Sequence, residues 1–201
     1  MQRSRKKKLI LFTCYGNRER SIIAEKLLQQ EIVNNYRHLV ENIRIESAGL
    51  IPKEVHGKVE QHARKRGVRL NYYSFGKRPN ICAIQYLAEK GIDVSLYQSR
   101  ELDKRLVREA GLILAIDRLQ KAEIAHLYPE ASSKLFTLKE FVFGSDCSNL
   151  DIGDPEMIPD VDEETGDWIW PEDYVRDFIR EIEQCFSEGL VKFIRYIKND
   201  L

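Results

Sequence analysis

The chain has 201 residues, of which 43% are apolar and 32% are charged, a composition typical of a water-soluble globular protein with one sizeable domain. Lysine plus arginine and aspartate plus glutamate each number 32, so the formal net charge is zero, which argues against a dedicated nucleic-acid-binding protein. Four cysteines without a tight Cys-x-x-Cys pair predict a reducing, cytoplasmic compartment, and the first apolar run is too short for a secretion signal or a membrane span.

The predicted elements alternate between strands and helices along the chain. Short apolar or alternating runs predict strands at 9–13, 43–49 and 112–116 and within 134–141. A first helix is expected to begin at Arg20, and a second is expected to end at Gly91. Further helices are predicted over 101–110 and from the N-cap Asp117 to before Pro129. The last helix is predicted from Glu172 to about Ile197. This order predicts an α/β fold with a parallel sheet, helices on both faces, and a ligand site beyond the carboxyl ends of the strands.

Two stretches interrupt this pattern and are interpreted as insertions, 51–78 and 157–171. Residues 53–78 contain eight lysines and arginines against two glutamates, whereas residues 145–174 contain eleven acidic residues and no lysine or arginine. Two interpretations of this uneven charge are open: solvated loops, or a basic rim that attracts an anionic substrate or partner. The first insertion also carries His56, His62, Tyr72, Tyr73 and Phe75. Its histidines fit no compact metal-ligand spacing, so we predict no metal site and expect either a docking segment or a helical excursion.

The stretch CYGNRERS begins at Cys14 and joins the first predicted strand to the first predicted helix. Unpaired backbone N–H groups and the dipole at a helix N-terminus favour an anion and stabilise a thiolate there. Arg20 adds a planar donor fork that suits two phosphate oxygens, and Ser21 supplies a hydroxyl for the sulfur. Gly16 and Asn17 tolerate the positive φ of a loop curled around an oxyanion. The pattern predicts nucleophilic displacement at phosphorus through a phosphocysteine intermediate.

CYGNRERSIIAE resembles the signature loop of the low-molecular-weight protein tyrosine phosphatases. ESAGL, YLAEKGIDVSLYQSREL, EAGLILAIDR and IGDPE resemble further segments of that family in the same order, and the resemblance covers most of the chain outside the two insertions. It implies a flavodoxin-like four-stranded parallel sheet in a single phosphatase-like domain over 1–201. It also implies hydrolysis of phosphotyrosine or similar aryl phosphate monoesters without a metal or cofactor. The implied partner is a phosphotyrosyl protein or a small aryl phosphate; neither a membrane nor nucleic acid is expected.

The resemblance also implies a role for each matching residue. Cys14 would be the nucleophile, Arg20 the phosphate clamp and Asp154 the general acid that protonates the leaving phenolate. The expected phosphate-binding residues are Tyr15, Gly16, Asn17, Arg18, Glu19 and Ser21, together with Ser47, which is expected to be hydrogen-bonded to Asn17. The acidic segment offers Asp160 as an alternative acid, although only Asp154 precedes a proline.

Glu19 departs from the family pattern, because the family usually has a second cysteine at this position. That cysteine can form a protective disulfide with the nucleophile, so the chain lacks this protection unless Cys82 or Cys147 comes near. A carboxylate pointing inward would weaken phosphate binding, whereas one pointing outward beside Arg18 would be harmless. We expect the outward orientation.

The residues after the Asp-Pro pair also depart from the family pattern. The family usually has aromatic residues there, and this chain has Glu156 and Met157. Tyr15, Trp168 and Trp170 are therefore the candidates for walls around a substrate ring, while the two tryptophans could equally pack on the core. Substrate preference is left open by this departure.

Three other functions remain open from the sequence. A catalytically weak or inactive phosphate-binding module would explain Glu19 and the missing aromatic residues, although the thiol, the arginine and an Asp-Pro pair are all retained. Arsenate reduction would need resolving thiols, and Cys82 and Cys147 form no recognisable pair in the sequence. Phosphoarginine hydrolysis would bring a cationic guanidinium group to a mouth that carries Arg18, which would repel it.

Overall fold

A computed structural model of the chain describes residues 7–65, 67, 75–153, 157, 160–161 and 168–198. The strands β1 (Lys8–Cys14), β2 (Ile43–Gly49), β3 (Leu112–Ala115) and β4 (Leu135–Thr137) form an all-parallel sheet in the order β2-β1-β3-β4. A further pair, β5 (Asp160–Val161) and β6 (Trp168–Ile169), is antiparallel. The α/β fold and the four-stranded parallel sheet are thus confirmed.

Helices cover both faces of the sheet. They are α1 (Arg20–Asn35), α2 (Lys53–Lys65), α3 (Ile81–Glu89), α4 (Lys104–Glu109), α5 (Arg118–Leu127), α6 (Leu138–Phe143) and α7 (Glu172–Lys198). Alternate side chains of β1 point to opposite faces, as the strand period requires. Ile10 and Phe12 pack with α1, α3, α6 and α7, whereas Leu9 and Leu11 pack with α4 and α5. Because both faces are covered, β1 and β3 are buried along nearly their whole length.

The predicted strand within 134–141 is only partly confirmed. The strand β4 ends at Thr137, and α6 begins directly after it. Thr137 accepts a hydrogen bond from the backbone N–H of Glu140, whose own side chain accepts from the backbone N–H of Thr137. This reciprocal capping box satisfies two backbone donors and starts a helix where the apolar pattern alone suggested a strand.

Gly49 allows the end of β2 to lie directly against the loop that follows β1. A Cβ atom at Gly49 would lie 2.7 Å from the carbonyl oxygen of Tyr15, 3.1 Å from the backbone nitrogen of Asn17 and 2.6 Å from the Phe75 ring. No side chain fits in that space, so a glycine is required for this close approach. The two adjacent strand ends thereby form one compact edge at the Cys14 loop.

The first predicted insertion contains a helix that packs against the Cys14 loop. Val55 and Val59 of α2 are buried together with Tyr15. Tyr72 and Tyr73, noted in the sequence, lie outside the described residues. Within the described part of the chain, no helix has both the length and the apolar character that a membrane crossing needs.

Candidate active site

The loop that follows β1 carries the candidate nucleophile at the carboxyl end of a central strand. Cys14 is only 3% exposed, and α1 begins at Arg20, so the thiol faces the N-terminal end of that helix. The positive φ predicted for this loop falls on Asn17, at +54°, and not on Gly16. Asparagine is one of the few residue types that adopt this conformation readily.

The side-chain amide of Asn17 holds this conformation with four hydrogen bonds. Its Nδ2 donates to Ser21 Oγ at 3.0 Å and to Ser47 Oγ at 2.8 Å. Its Oδ1 accepts from the backbone N–H of Arg100 at 3.0 Å and from the Tyr97 hydroxyl at 2.9 Å. The amide therefore uses its full donor and acceptor capacity, and the expected bond to Ser47 is present.

Ser21 is positioned to donate its hydroxyl hydrogen to the Cys14 sulfur. The two atoms, Ser21 Oγ and Cys14 Sγ, are 3.0 Å apart. Because Ser21 Oγ already accepts from Asn17, its own hydrogen is available for the sulfur. Behind this pair, Ser47 donates to Glu25 at 2.6 Å, so a buried chain of hydrogen bonds runs from Glu25 to the sulfur. This arrangement stabilises a negatively charged sulfur.

Tyr97 belongs to this network, and the sequence reasoning did not identify it. Its hydroxyl also lies 2.7 Å from Ser47 Oγ, and burial raises the pKa of Tyr97, so the phenol stays protonated and can donate. The only signal in the sequence was its position within the segment YLAEKGIDVSLYQSREL, which gives no indication of a contact with Asn17.

Replacing Tyr97 by phenylalanine should lower the free energy of unfolding by about 1–2 kcal/mol, because buried partners lose a hydrogen bond. The same change should weaken the binding of inorganic phosphate, since Asn17 no longer holds the loop fully. Urea unfolding and isothermal titration with phosphate measure the two effects. Tyr128→Phe is the control, because the Tyr128 hydroxyl bonds only weakly, at 3.4 Å, to Leu102 O and makes no hydrogen bond to Asn17, Ser21 or Ser47. Unchanged phosphate affinity in Tyr97→Phe would contradict the role given to this network.

Arg20 is held by Asp117, which follows β3, and by Ile152 in the loop after α6. The guanidinium is 3% exposed, and its Nη1 lies 3.6 Å from Asp117 Oδ2 and donates to Ile152 O at 3.2 Å. Its central carbon also lies 4.9 Å from the centre of the Tyr15 ring. These contacts orient the planar donor fork before any anion binds.

Asp117 was predicted only as a helix N-cap, and that role is confirmed by its bond of 2.8 Å from the Gln120 N–H. The contact with Arg20 was missed, although the position of Asp117 directly after β3 places it at the carboxyl edge of the sheet. Its buried carboxylate lies beside the Tyr15 phenol and the Arg20 guanidinium, and the charge of Arg20 compensates it. Burial raises the pKa of Asp117, and the charge of Arg20 opposes that rise.

The expectation that Glu19 points outward is wrong. Glu19 is only 8% exposed, lines the cavity beside Cys14, and accepts a hydrogen bond from the Asn80 side chain. Asn80 is brought there because its backbone N–H donates to Arg18 O at 2.9 Å, which docks the start of α3 onto the loop. The Arg18 Nε in turn donates to Arg78 O at 2.8 Å. The carboxylate therefore forms part of the cavity wall.

A cavity opens above the Cys14 sulfur between the loop, the start of α3 and the segment before α7. It is lined by Cys14, Tyr15, Gly16, Arg18, Glu19, Arg20, Asn80 and Trp170. The predicted residues Asn17, Ser21 and Ser47 lie behind this wall, in the hydrogen-bond network that supports the loop. Trp170 both lines the cavity and stacks on Tyr174, with ring centres 4.9 Å apart.

Asp154, the predicted general acid, lies outside the described residues, as do Glu156 and the side chain of Trp168. The residues that lead to Asp154 are firmly held. Asp151 pairs with Arg118 at 2.7 Å, and the backbone N–H of Gly153 donates to Glu181 at 2.7 Å. Ile152, between them, is fully buried.

Asp160, the alternative acid, lies on β5 and is exposed. Its Oδ1 is 4.0 Å from His62 Nε2, so it faces α2. It is not among the residues that line the cavity above Cys14. Within the described ranges, no group of three or more histidine, cysteine or acidic side chains is arranged to hold a metal ion.

The comparisons with known proteins agree with this geometry. A family model described as low molecular weight phosphotyrosine protein phosphatase matches residues 9–75 and 72–188. The chain is 32% identical over 146 residues to a protein-arginine-phosphatase of Geobacillus stearothermophilus, covering 73% of this chain and 77% of that protein. It is 29% identical over 148 residues to a probable low molecular weight protein-tyrosine-phosphatase EpsP of Ralstonia nicotianae, covering 74% and 78%.

Two solved structures illustrate the similarity in fold. The YwlE arginine phosphatase from Geobacillus stearothermophilus superimposes with a TM-score of 0.63 at 25% identity, over 96% of this chain and 94% of that one. A protein tyrosine phosphatase from Entamoeba histolytica gives a TM-score of 0.65 at 20% identity, over 96% and 99%. The likeness to the second structure concerns the fold alone.

Proposed function

Because the chain belongs to the low molecular weight phosphotyrosine protein phosphatase family and is a cysteine-dependent phosphatase, we propose that it acts on phosphotyrosine residues of proteins and on similar aryl phosphate monoesters. One observation carries this proposal. The Cys14 sulfur, with the Ser21 hydroxyl 3.0 Å away, and the buried Arg20 guanidinium face the same cavity. A nucleophile, a donor for its negative charge and a clamp for phosphate are thus combined in one place.

The reaction proceeds in two displacements. The loop amides and Arg20 bind the phosphate dianion, and the Cys14 thiolate attacks phosphorus, so an S–P bond forms as the P–O bond to the phenol breaks. Asp154 donates a proton to the departing oxygen. Water then attacks phosphorus, the S–P bond breaks, and Asp154 takes the water's proton. The Ser21 hydroxyl and the N-terminus of α1 stabilise the thiolate that leaves.

Two aromatic side chains support an aryl leaving group. Trp170 offers its indole at the cavity wall, although the acid loop lacks the aromatic residues usual in the family. Tyr15, packed on Val55 and Val59 of α2, forms another part of the wall beside Arg20. Aromatic surfaces of this kind suit a planar phenolate ring better than a flexible alkyl group.

The chemistry requires Cys14 to stay reduced. All four cysteines are free, and burial, together with the negative charge of Glu19, raises the pKa of Cys82 to about 12. A thiol with that pKa is protonated at neutral pH, so it is a poor resolving thiol, which counts against arsenate reduction. We propose a reducing, cytoplasmic compartment for the protein and a mechanism without a disulfide cascade.

Phosphoarginine hydrolysis is a second candidate, favoured by the position of Glu19. The objection raised from the sequence was repulsion by Arg18. Arg18 does line the cavity, but its Nε donates to Arg78 O, and Glu19 lines the same cavity with the opposite charge. A carboxylate at this wall would attract a guanidinium leaving group. One similar protein, from Geobacillus stearothermophilus, is itself named a protein-arginine-phosphatase.

Two peptides of identical sequence, one with phosphotyrosine and one with phosphoarginine, distinguish the candidates when phosphate release is measured in the presence of EDTA. We expect kcat/KM to be at least about tenfold higher for the phosphotyrosine peptide than for the phosphoarginine peptide. A single contact with the leaving group, such as one with an aromatic wall, can give an effect of this size. Glu19→Gln should leave phosphotyrosine hydrolysis unchanged or faster, because it removes a negative charge from an anion site.

Faster hydrolysis of phosphoarginine, with a loss on Glu19→Gln, would favour the second candidate instead. If neither peptide nor p-nitrophenyl phosphate is hydrolysed, the proposed activity is refuted. Retained binding of inorganic phosphate in that case would identify the chain as a phosphate-binding module. Loss of activity on adding EDTA would refute a mechanism that uses the protein's own side chains alone.

A further inference from the structure

A groove of about 860 Å³ lies between α3 and α7. Its walls are formed by half-buried side chains of the two helices, Cys82 and Tyr86 from α3 and Val175 and Ile179 from α7. A volume of this size is ample for several side chains, since small-molecule sites span about 300–1,000 Å³. The catalytic chemistry derived above makes no use of this groove.

The groove is continuous with the catalytic cavity. Trp170 lines both, and Asn80, which precedes α3, lines the cavity while its helix forms one wall of the groove. Because the indole of Trp170 borders both spaces, the groove begins where the cavity ends.

The connection determines what can occupy the groove. A phosphorylated side chain that enters the cavity leaves its own backbone at the mouth, beside Trp170. An extended polypeptide then advances about 3.3 Å per residue, so residues close in sequence to the phosphorylated one reach the groove. No small phosphate ester has atoms in that position.

The charges on the rim favour an apolar occupant. Five charged side chains line the groove. Arg176 lies 3.8 Å from Glu172, Glu183 lies 2.7 Å from Lys90, and Arg180 pairs with Asp177, so among the described residues Glu89 alone of the five has no ion pair. A strongly charged segment of either sign gains little from such a rim. The half-buried walls, in contrast, gain from an apolar side chain that displaces water.

We propose that this groove binds the segment of a phosphoprotein substrate that flanks the phosphorylated residue, with an apolar side chain of that segment between Tyr86 and Ile179. The proposal rests on the proposed function, because it assumes that a phosphoprotein delivers its phosphate to Cys14. The groove then determines sequence preference, while the chemistry stays with the loop.

Gln85 allows a direct test, because it lines the groove and is exposed, so a larger side chain there fills the groove without disturbing the core. Gln85→Trp should raise KM for a short phosphotyrosine peptide with a flanking leucine by about tenfold, while kcat changes little. A tenfold change is the effect expected when one apolar side chain of the peptide can no longer be buried in the groove. Hydrolysis of p-nitrophenyl phosphate should be unaffected. Ala88→Trp is the matched control, since Ala88 is exposed on the same helix and is not a groove residue.

An unchanged KM for the peptide in Gln85→Trp would overturn the proposal, and so would an equal loss on the peptide and on p-nitrophenyl phosphate. Sedimentation adds a third criterion: a dimer of the wild-type chain that Gln85→Trp dissociates would show that a second copy occupies the groove.

A crosslinking experiment keeps the proposal testable apart from turnover. A phosphotyrosine peptide with benzoylphenylalanine at the flanking apolar position is irradiated with the Cys14→Ser variant, and the attachment site is mapped. Attachment within 82–89 or 172–183 supports the groove, and attachment elsewhere refutes it. If the wild type fails to hydrolyse p-nitrophenyl phosphate, the proposed function fails, while this mapping still decides the binding of the peptide.

Discussion

Replacing Cys14 by serine should lower the release of phosphate from p-nitrophenyl phosphate by at least about 10⁴-fold, because an unactivated hydroxyl is a far weaker nucleophile than a thiolate. The surrounding groups are suited to the thiolate alone. Ser21 Oγ, 3.0 Å from the sulfur, has its hydrogen available as a donor and stabilises an existing negative charge. It does not remove a proton from a serine at position 14. A hydroxyl there would therefore remain protonated.

The Cys14→Ser variant should still bind phosphate. Retained affinity would show that the variant has lost the nucleophile and not the phosphate-binding site. The backbone of the loop is fixed by Asn17 and the guanidinium of Arg20 by Asp117, and neither contact involves the sulfur. Titration with phosphate measures this affinity. Cys147→Ser is the matched control, because Cys147 lies in a turn after α6 and bonds to Asn149 O. Substantial activity in Cys14→Ser, or loss of activity in Cys147→Ser, would contradict the assignment of the nucleophile.

The loop around Cys14 could be predicted because its determinants are local. An apolar run that ends in a cysteine, followed at once by a helical pattern, fixes a strand-to-helix junction whatever lies around it. In a parallel sheet such a junction lies at the carboxyl edge, where ligands bind. The end of β2 at Gly49 and the caps of α3 and α5 were readable for the same reason. The start of α6 was readable as well, since Thr-x-x-Glu at residue 137 is a capping signature, but the apolar run outweighed it.

The orientation of Glu19 could not be predicted, because it depends on a residue distant in the sequence. Locally, a glutamate next to Arg18 suggests an exposed pair. In the fold, the start of α3 docks on the loop, and Asn80 binds the carboxylate. The contact of Tyr97 with Asn17 spans a similar distance along the chain. Periodicity and spacing indicate which elements form, but such contacts depend on how those elements pack.

The first insertion shows the same limit. Its basic composition suggested docking or a solvated excursion, yet Val55 and Val59 of α2 pack on Tyr15 in the loop itself. Two valines at helical spacing within a charged segment are a weak signal, since their partner lies on another element. The helix thus supports one wall of the catalytic cavity. The lysine and arginine side chains of α2 are exposed on the surface.

Replacing Asp154 by alanine should lower kcat for phenyl phosphate by about 10²–10⁴-fold, the contribution expected of a general acid. The loss should be smaller for p-nitrophenyl phosphate, because p-nitrophenolate is a weak base that departs without a proton. Comparing a series of aryl phosphates of increasing phenol pKa therefore identifies the acid, since a merely structural defect would slow all of them equally. Phosphate affinity should be retained, because Arg20 and the loop amides are unchanged.

Asp160→Ala is the matched control, and we expect it to have wild-type turnover across the whole series. Asp160 is exposed on β5 and lies 4.0 Å from His62, away from the residues that line the cavity. The residues before Asp154, in contrast, are fixed beside the loop by Arg20, which bonds to Ile152 O at 3.2 Å. If the loss of turnover grows with the pKa of the leaving phenol in Asp160→Ala and not in Asp154→Ala, Asp160 is the general acid. In that case β5 must approach Cys14 during turnover.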